Sequence, residues 1–216
     1  MAMYGVDISH WQGVNALANI LKKADRKIEF ALIKASEGTS YVDSRLAANV
    51  ADAKRLGLHI GVYHYARPEY NSAIAEATHF LDVLNRNGVV IGEDVLVLDY
   101  EGVAHQYGEK WAREWLDQVY RETGVKPMIY LSAAYLSKYK SVAEGDYGLW
   151  VAKWGAEPTD VRPWAFKAIW QYNNVDFDKD VFYGTAETWT KYAARDYEVT
   201  NPGVVGCGCC GCCHRE

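Results

Sequence analysis

The chain has 216 residues, half of them apolar (50%) and about a quarter charged (24%). That length and balance suit one hydrophobic core and exclude a disordered chain, a collagen-like fibre and a coiled coil. The formal charge is −5 and neither half of the chain is basic, which argues against nucleic acid as a partner.

Strands and helices alternate from the start. Tyr4-Gly5-Val6-Asp7-Ile8 predicts a short strand, and apolar spacing through Ala16, Ile20, Leu21 and Ala24 predicts a helix over 15–27. Phe30–Ala35 is a second strand. The next helix, marked by Leu46, Val50, Ala53 and Leu56, is stopped by Gly57. Ile60–Tyr65 is a third strand closed by Pro68, and 72–86 is helical. Val95–Leu98 is a fourth strand running into Asp99-Tyr100-Glu101-Gly102. A long helix over 109–122 leads to the strand Pro127–Leu131, then to a short helix near 133–140. After that the rhythm changes. Leu149–Ala152, Ala168–Tyr172 and the region around Val181-Phe182 read as strands joined by loops, with a last helix over 187–194.

Five β-α units with continuous apolar strands imply a parallel sheet covered by helices. Eight strand signals in one domain of this size predict an α/β fold, a closed TIM-like barrel whose last three strands lack helices. An open doubly wound sheet is the competing topology, but no Gly-x-Gly-x-x-Gly follows the first strand. The barrel domain is expected to span 1–200. Residues 201–216 form a Cys/Gly-rich tail holding all five cysteines, Cys207, Cys209, Cys210, Cys212 and Cys213. Gly interleaved with Cys buries too little apolar area to order itself, so the tail is expected to be disordered. Its competing reading is a soft-metal or disulfide link through those thiols and His214. No basic n-region opens the chain, and no apolar run reaches the ~18–20 residues of a membrane span.

In parallel barrels, reactive side chains sit at the C-terminal ends of strands. Those ends offer Asp7, Lys34, Tyr63, Tyr65, Asp99, Glu101, Tyr130, Trp150 or Trp154, Gln171, and the cluster Asp176, Asp178 and Asp180. Carboxylates and aromatics dominate. There is no Gly-x-Ser-x-Gly elbow and no His-Glu-x-x-His, so nucleophilic-serine and metal hydrolysis are disfavoured and neither a metal nor a cofactor is expected. Asp99 and Glu101 stand two apart on one strand and share a face. Two carboxylates so placed cannot both ionise cheaply, and one pKa should rise to supply a general acid. The chain also holds 8 Trp, 16 Tyr and 5 Phe, which suit either sugar stacking or an aromatic-rich core. Paired acids among aromatics point to a glycosidase.

The motifs Gly5-Val6-Asp7-Ile8-Ser9-His10-Trp11-Gln12-Gly13, Ile33-Lys34-Ala35-Ser36-Glu37-Gly38 and Gly61-Val62-Tyr63-His64-Tyr65-Ala66-Arg67-Pro68 resemble glycoside hydrolase family 25 muramidases. Leu98-Asp99-Tyr100-Glu101, Leu149–Ala152, Trp170-Gln171-Tyr172 and Asp178–Gly184 continue the resemblance in family order. It implies an irregular barrel and cleavage of the β-1,4 bond between N-acetylmuramic acid and N-acetylglucosamine in peptidoglycan. It makes Glu101 the proton donor, Asp99 its partner, and Asp7 and Asp178 the other catalytic acids. Lys34, Tyr63, Tyr65, Tyr130, Trp150 and Gln171 are then candidates to line the substrate groove. A chitinase pattern, Asp-Gly-x-Asp-x-Asp-x-Glu, is met only in part, because Val95 and Val97 replace its Gly and middle Asp. A chitinase-like enzyme and a catalytically idle glycan-binding barrel are the alternatives. The expected setting is a monomeric phage or prophage endolysin held in the host cytoplasm until a holin opens the membrane.

Overall fold

The inner face of the barrel follows from a period of two. Residues 2–196 are described by the structure, a computed structural model. Its strands are β1 (Met3–Ile8), β2 (Ile28–Glu37), β3 (Tyr41–Val42), β4 (His59–Tyr65) and β5 (Val95–Asp99). They continue with β6 (Met128–Ser132), β7 (Gly148–Ala152), β8 (Ile169–Asn173) and β9 (Asp178–Phe182). Six α-helices, α1 (Ala16–Lys23), α2 (Leu46–Arg55), α3 (Ala73–Arg86), α4 (Gly108–Thr123), α5 (Lys140–Glu144) and α6 (Ala186–Ala193), intervene or follow. The tail 201–216 lies outside the described residues.

Strands β1, β2, β4, β5, β6, β7 and β8 pair in parallel, each with the next. The ring is closed by β9, which pairs with both β8 and β1. The expected TIM-like barrel is therefore present, with helices between the early strands and loops between the last three. Within the closed ring, one strand departs from the all-parallel expectation. β9 runs antiparallel to both neighbours, because only a short loop, Asn174–Phe177, separates it from β8. A parallel return needs a crossover of a dozen residues or more. β3 was not legible as a strand. It is a two-residue hairpin extension on the end of β2.

Two apolar layers hold this arrangement together. Between helices and sheet, outward-facing residues such as Val6, Ile33, Val62, Leu96 and Ile129 meet Leu46, Phe80, Trp115 and Leu116. Inside the barrel, Phe30, Leu32, Val95, Val97, Met128, Ile169 and Phe182 form a second core. Its lower end is stoppered by α6, whose Trp189 ring lies 4.8 Å from Phe30 and 5.2 Å from Phe182. Space there is tight. A Cβ on Gly5 would lie 2.4 Å from the Phe30 ring, and one on Gly61 2.4 Å from Leu32. Glycine at these positions lets large neighbours fill the narrow interior.

Candidate active site

Above the apolar layer, the next inward step on each strand turns polar. Val95 and Val97 are followed by Asp99, Phe30 and Leu32 by Lys34, Met128 by Tyr130, and Ile169 by Gln171. These residues open onto a cleft of about 370 Å³ at the strand ends. All ten sequence-derived candidates line it: Asp7, Lys34, Tyr63, Tyr65, Asp99, Glu101, Tyr130, Trp150, Gln171 and Asp178, together with Ser9, Trp11 and Trp154. Asp178 reaches this rim for a reason the parallel rule does not supply. It starts an antiparallel strand and pairs with Asp7, so its N-terminal end lies where the other strands end. Asp176 lies apart, exposed in the preceding loop at φ 69°.

Two devices carry the inward alternation beyond the sheet. After β5, Tyr100 is fully buried outside the barrel, and its hydroxyl donates to the Gly108 carbonyl at 3.0 Å. Glu101 keeps extended backbone (φ −137°, ψ 179°), so it returns to the cleft side before Gly102 turns the chain at φ +58°. After β1, a capping box forms. Ser9 Oγ accepts from the Trp11 amide at 3.2 Å, and Gln12 Oε1 accepts from the Ser9 amide at 2.8 Å. This turn leaves Trp11 82% exposed on the rim, and Trp154 (61%) is the other exposed indole of the cleft. Their faces are free to stack on a ligand.

The buried aromatics behave differently. Tyr63, Tyr130 and Trp150 are at most 8% exposed, so they floor the cleft and offer edges and polar tips. The Tyr130 hydroxyl donates to Gln171 Oε1 at 3.0 Å, and the Trp154 indole donates to the same oxygen at 3.3 Å. Those two donors fix the Gln171 amide so that its Nε2 donates to Asp7 Oδ2 at 2.8 Å. The Trp150 indole donates to Asp180 Oδ1 at 2.9 Å. Asp180 was not singled out from its cluster by sequence reasoning, yet it is fully buried. The signal was available, because Asp178 and Asp180 are two apart and share the inward face.

Electrostatically the cleft is crowded with acids. Burial and then the Asp178 charge push Asp7 up to about 7, against hydrogen bonds from Gln171 and Asp180. Burial, then Glu101, lift Asp99 well above the usual carboxylate range. Glu101 is also raised by burial, with Lys34 pulling it down and Asp178 pushing it up. The expectation that the Asp99–Glu101 pair resists double ionisation therefore holds. The cause differs in emphasis, since desolvation outweighs the mutual repulsion. Lys34 is the cation facing this group. Its Nζ lies 2.7 Å from Glu37 Oε2 and sits over the Tyr65 ring at 4.8 Å. Glu37 is itself gripped by Arg67 at 2.7 Å.

A Ser36–His64–Glu76 chain has the connectivity of a hydrolytic triad, with both contacts at 2.8 Å. All three residues are fully buried, so no substrate reaches them. Glu76 instead accepts the Arg67 amide and the Asn71 side chain, which ties the rim loop to α3. Among the described residues no cluster of His, Cys, Asp and Glu has the arrangement of a metal site.

Comparison with known proteins adds to this picture. The family model described as glycosyl hydrolases family 25 matches residues 6–181. Lysozyme M1 of Streptomyces globisporus is 31% identical over 208 residues, spanning 84% of this chain and 68% of that protein. The lysozyme of Streptococcus phage Cp-7 is 30% identical, spanning 82% of this chain and 52% of its own length. Among solved structures, a family GH25 lysozyme from Aspergillus fumigatus superposes with a TM-score of 0.75 at 26% identity. That match covers 90% of this chain and 100% of the other.

Proposed function

The chain belongs to glycosyl hydrolases family 25 and is a glycoside hydrolase of the muramidase type. From that premise we propose that it cleaves the β-1,4 bond between N-acetylmuramic acid and N-acetylglucosamine, with Glu101 as the proton donor. The observation that carries this reading is the convergence of Asp7, Asp99, Glu101 and Asp178 on one aromatic-rimmed cleft.

The chemistry follows from where the protons rest. Asp99 Oδ1 is buried and has no hydrogen-bond partner among the described residues. Such an oxygen suits the amide N–H of a substrate's 2-acetamido group, because an unmet acceptor in the interior costs about 1–3 kcal/mol. Accepting that N–H favours ionised Asp99, and the proton the pair holds then resides on Glu101. Glu101, the less buried of the two, gives it to the glycosidic oxygen as the C1–O bond breaks. Asp99 holds the acetamido group so that its carbonyl oxygen faces C1, and ionised Asp7 offsets the positive charge growing there. Water completes the hydrolysis and returns a proton to Glu101. Trp11 and Trp154 stack on sugar rings, while Lys34, Tyr63, Tyr65, Tyr130, Trp150 and Gln171 line or support the groove.

For the biological setting the reading is host lysis by a phage or prophage, which the similarity to a phage lysozyme supports. The chain is to be expressed in the cytoplasm of a bacterium whose purified walls it clears, with and without a co-expressed holin. Cells are expected to stay intact until the holin acts and then to lyse, while Glu101→Gln with the same holin leaves them intact. Lysis without the holin would contradict the setting. Intact cells with both proteins present would contradict wall cleavage.

A further inference from the structure

Asp180 has no place in the reaction as drawn, yet its environment is specific. It lies one inward step below Asp178 on β9, opposite Gly5 of β1 and beside Gln171 of β8. Gly5 presents no side chain there, so the Asp180 carboxyl has the diagonal neighbour Asp7 within reach. It is 0% exposed. One oxygen, Oδ1, accepts the Trp150 indole at 2.9 Å. The other, Oδ2, meets no N–H or O–H donor among the described residues. A buried carboxylate would leave that oxygen charged and unpaired, at high cost. A neutral carboxylic acid makes it a donor instead, and the acceptor at hand is Asp7.

We propose that Asp180 is a positioning residue of the hydrolytic site, a neutral acid that donates its proton in a hydrogen bond to Asp7 and so favours the ionised form of Asp7 and aims it into the cleft. This rests on the hydrolytic reading only for its kinetic consequence. The line of donors is continuous: Trp150 N–H to Asp180, Asp180 O–H to Asp7, and Gln171 N–H to the Asp7 Oδ2 atom. Burial and the Asp7 charge keep Asp180 well above the usual carboxylate range, and its hydrogen bond pulls Asp7 down. The other groups facing the pair are Asp178 on β9, Asp99 and Glu101 at the end of β5, and Tyr63, Tyr130 and Tyr172 on β4, β6 and β8. Lys34 on β2 faces Asp99 and Glu101. Among the described residues none of these donates a hydrogen bond to Asp7; the N–H that does is that of Gln171.

Two variants and one spectrum test it. In Asp180→Asn the amide accepts from Trp150 and donates N–H to Asp7, so kcat/KM and its pH profile should stay within about threefold and a few tenths of a unit of wild type. In Asp180→Leu the donor is gone. Asp7 then holds its proton to higher pH, and the acid limb of kcat/KM should move up by roughly one unit. An Asn variant as impaired as the Leu variant would overturn the proposal, as would a Leu variant with an unmoved acid limb. The third measurement needs neither turnover nor a folded Leu variant. In ¹³C spectra of the aspartate carboxyls of the wild-type chain followed with rising pH, Asp180 should stay protonated after Asp7 has ionised. An Asp180 that ionises before Asp7 would refute the proposal even if wall hydrolysis stood, and a chain inactive on walls would leave this readout intact.

Discussion

Glu101→Gln is expected to lose about 10²–10⁴ in rate on purified walls while keeping its fold, the usual cost of removing a general acid. Glutamine keeps the length and extended backbone of the position, and no described hydrogen bond depends on the Glu101 side chain being an acid. Far-UV circular dichroism and the melting temperature should therefore match wild type. The loss should fall on kcat more than on KM, because the proton is needed only as the glycosidic bond breaks. Wild-type turnover by a folded Glu101→Gln protein would remove Glu101 from the reaction.

Asp7→Asn is expected to move activity and stability in opposite directions. Asp7 is held up at about 7 in the folded protein, against 3.8 for an ordinary aspartate. Between those values the folded state keeps a proton that the unfolded state has released. Stability from this group therefore falls as pH rises from about 4 to about 7 and stays low above that. Asparagine removes the penalty. At about 1.4 kcal/mol per unit, the variant should be more stable than wild type by a few kcal/mol at pH 8. The gain should vanish near pH 4. The same change deletes a charge that offsets the forming cation and should cost about 10²-fold in rate. Urea denaturation at both pH values, beside initial rates, checks both halves. A variant less stable than wild type at pH 8 would mean that Asp7 is not held up by burial.

These expectations draw on features of unequal visibility in the sequence. The seven parallel strands are legible because each centres on a short, mainly apolar run bounded by polar or turn residues. Asp99 and Glu101 were legible as a pair because a spacing of two on a strand puts them on one face. The place of Asp178 was right, but the rule of C-terminal strand ends did not explain it. The reversal of β9 brings it to the rim, and that depends on the length of one loop. Trp150 shows another limit. Its strand position was read correctly, but only packing reveals that its ring is buried and its N–H committed to Asp180. Asp180 is visible in the sequence only as one of a cluster with Asp176 and Asp178, because spacing alone does not show which of these acids the closed barrel buries. Trp11 stands in the sequence as one residue of the first motif, with nothing there to mark it as a rim residue. Its exposure on the rim depends on the Ser9–Gln12 capping box.

Mass spectrometry of the muropeptides released from purified walls tests the central claim most directly. Cleavage through Glu101 as described should place every new reducing end on N-acetylmuramic acid, and borohydride reduction should label that sugar alone. New reducing ends on N-acetylglucosamine, or soluble oligomers released from chitin under the same conditions, would contradict it.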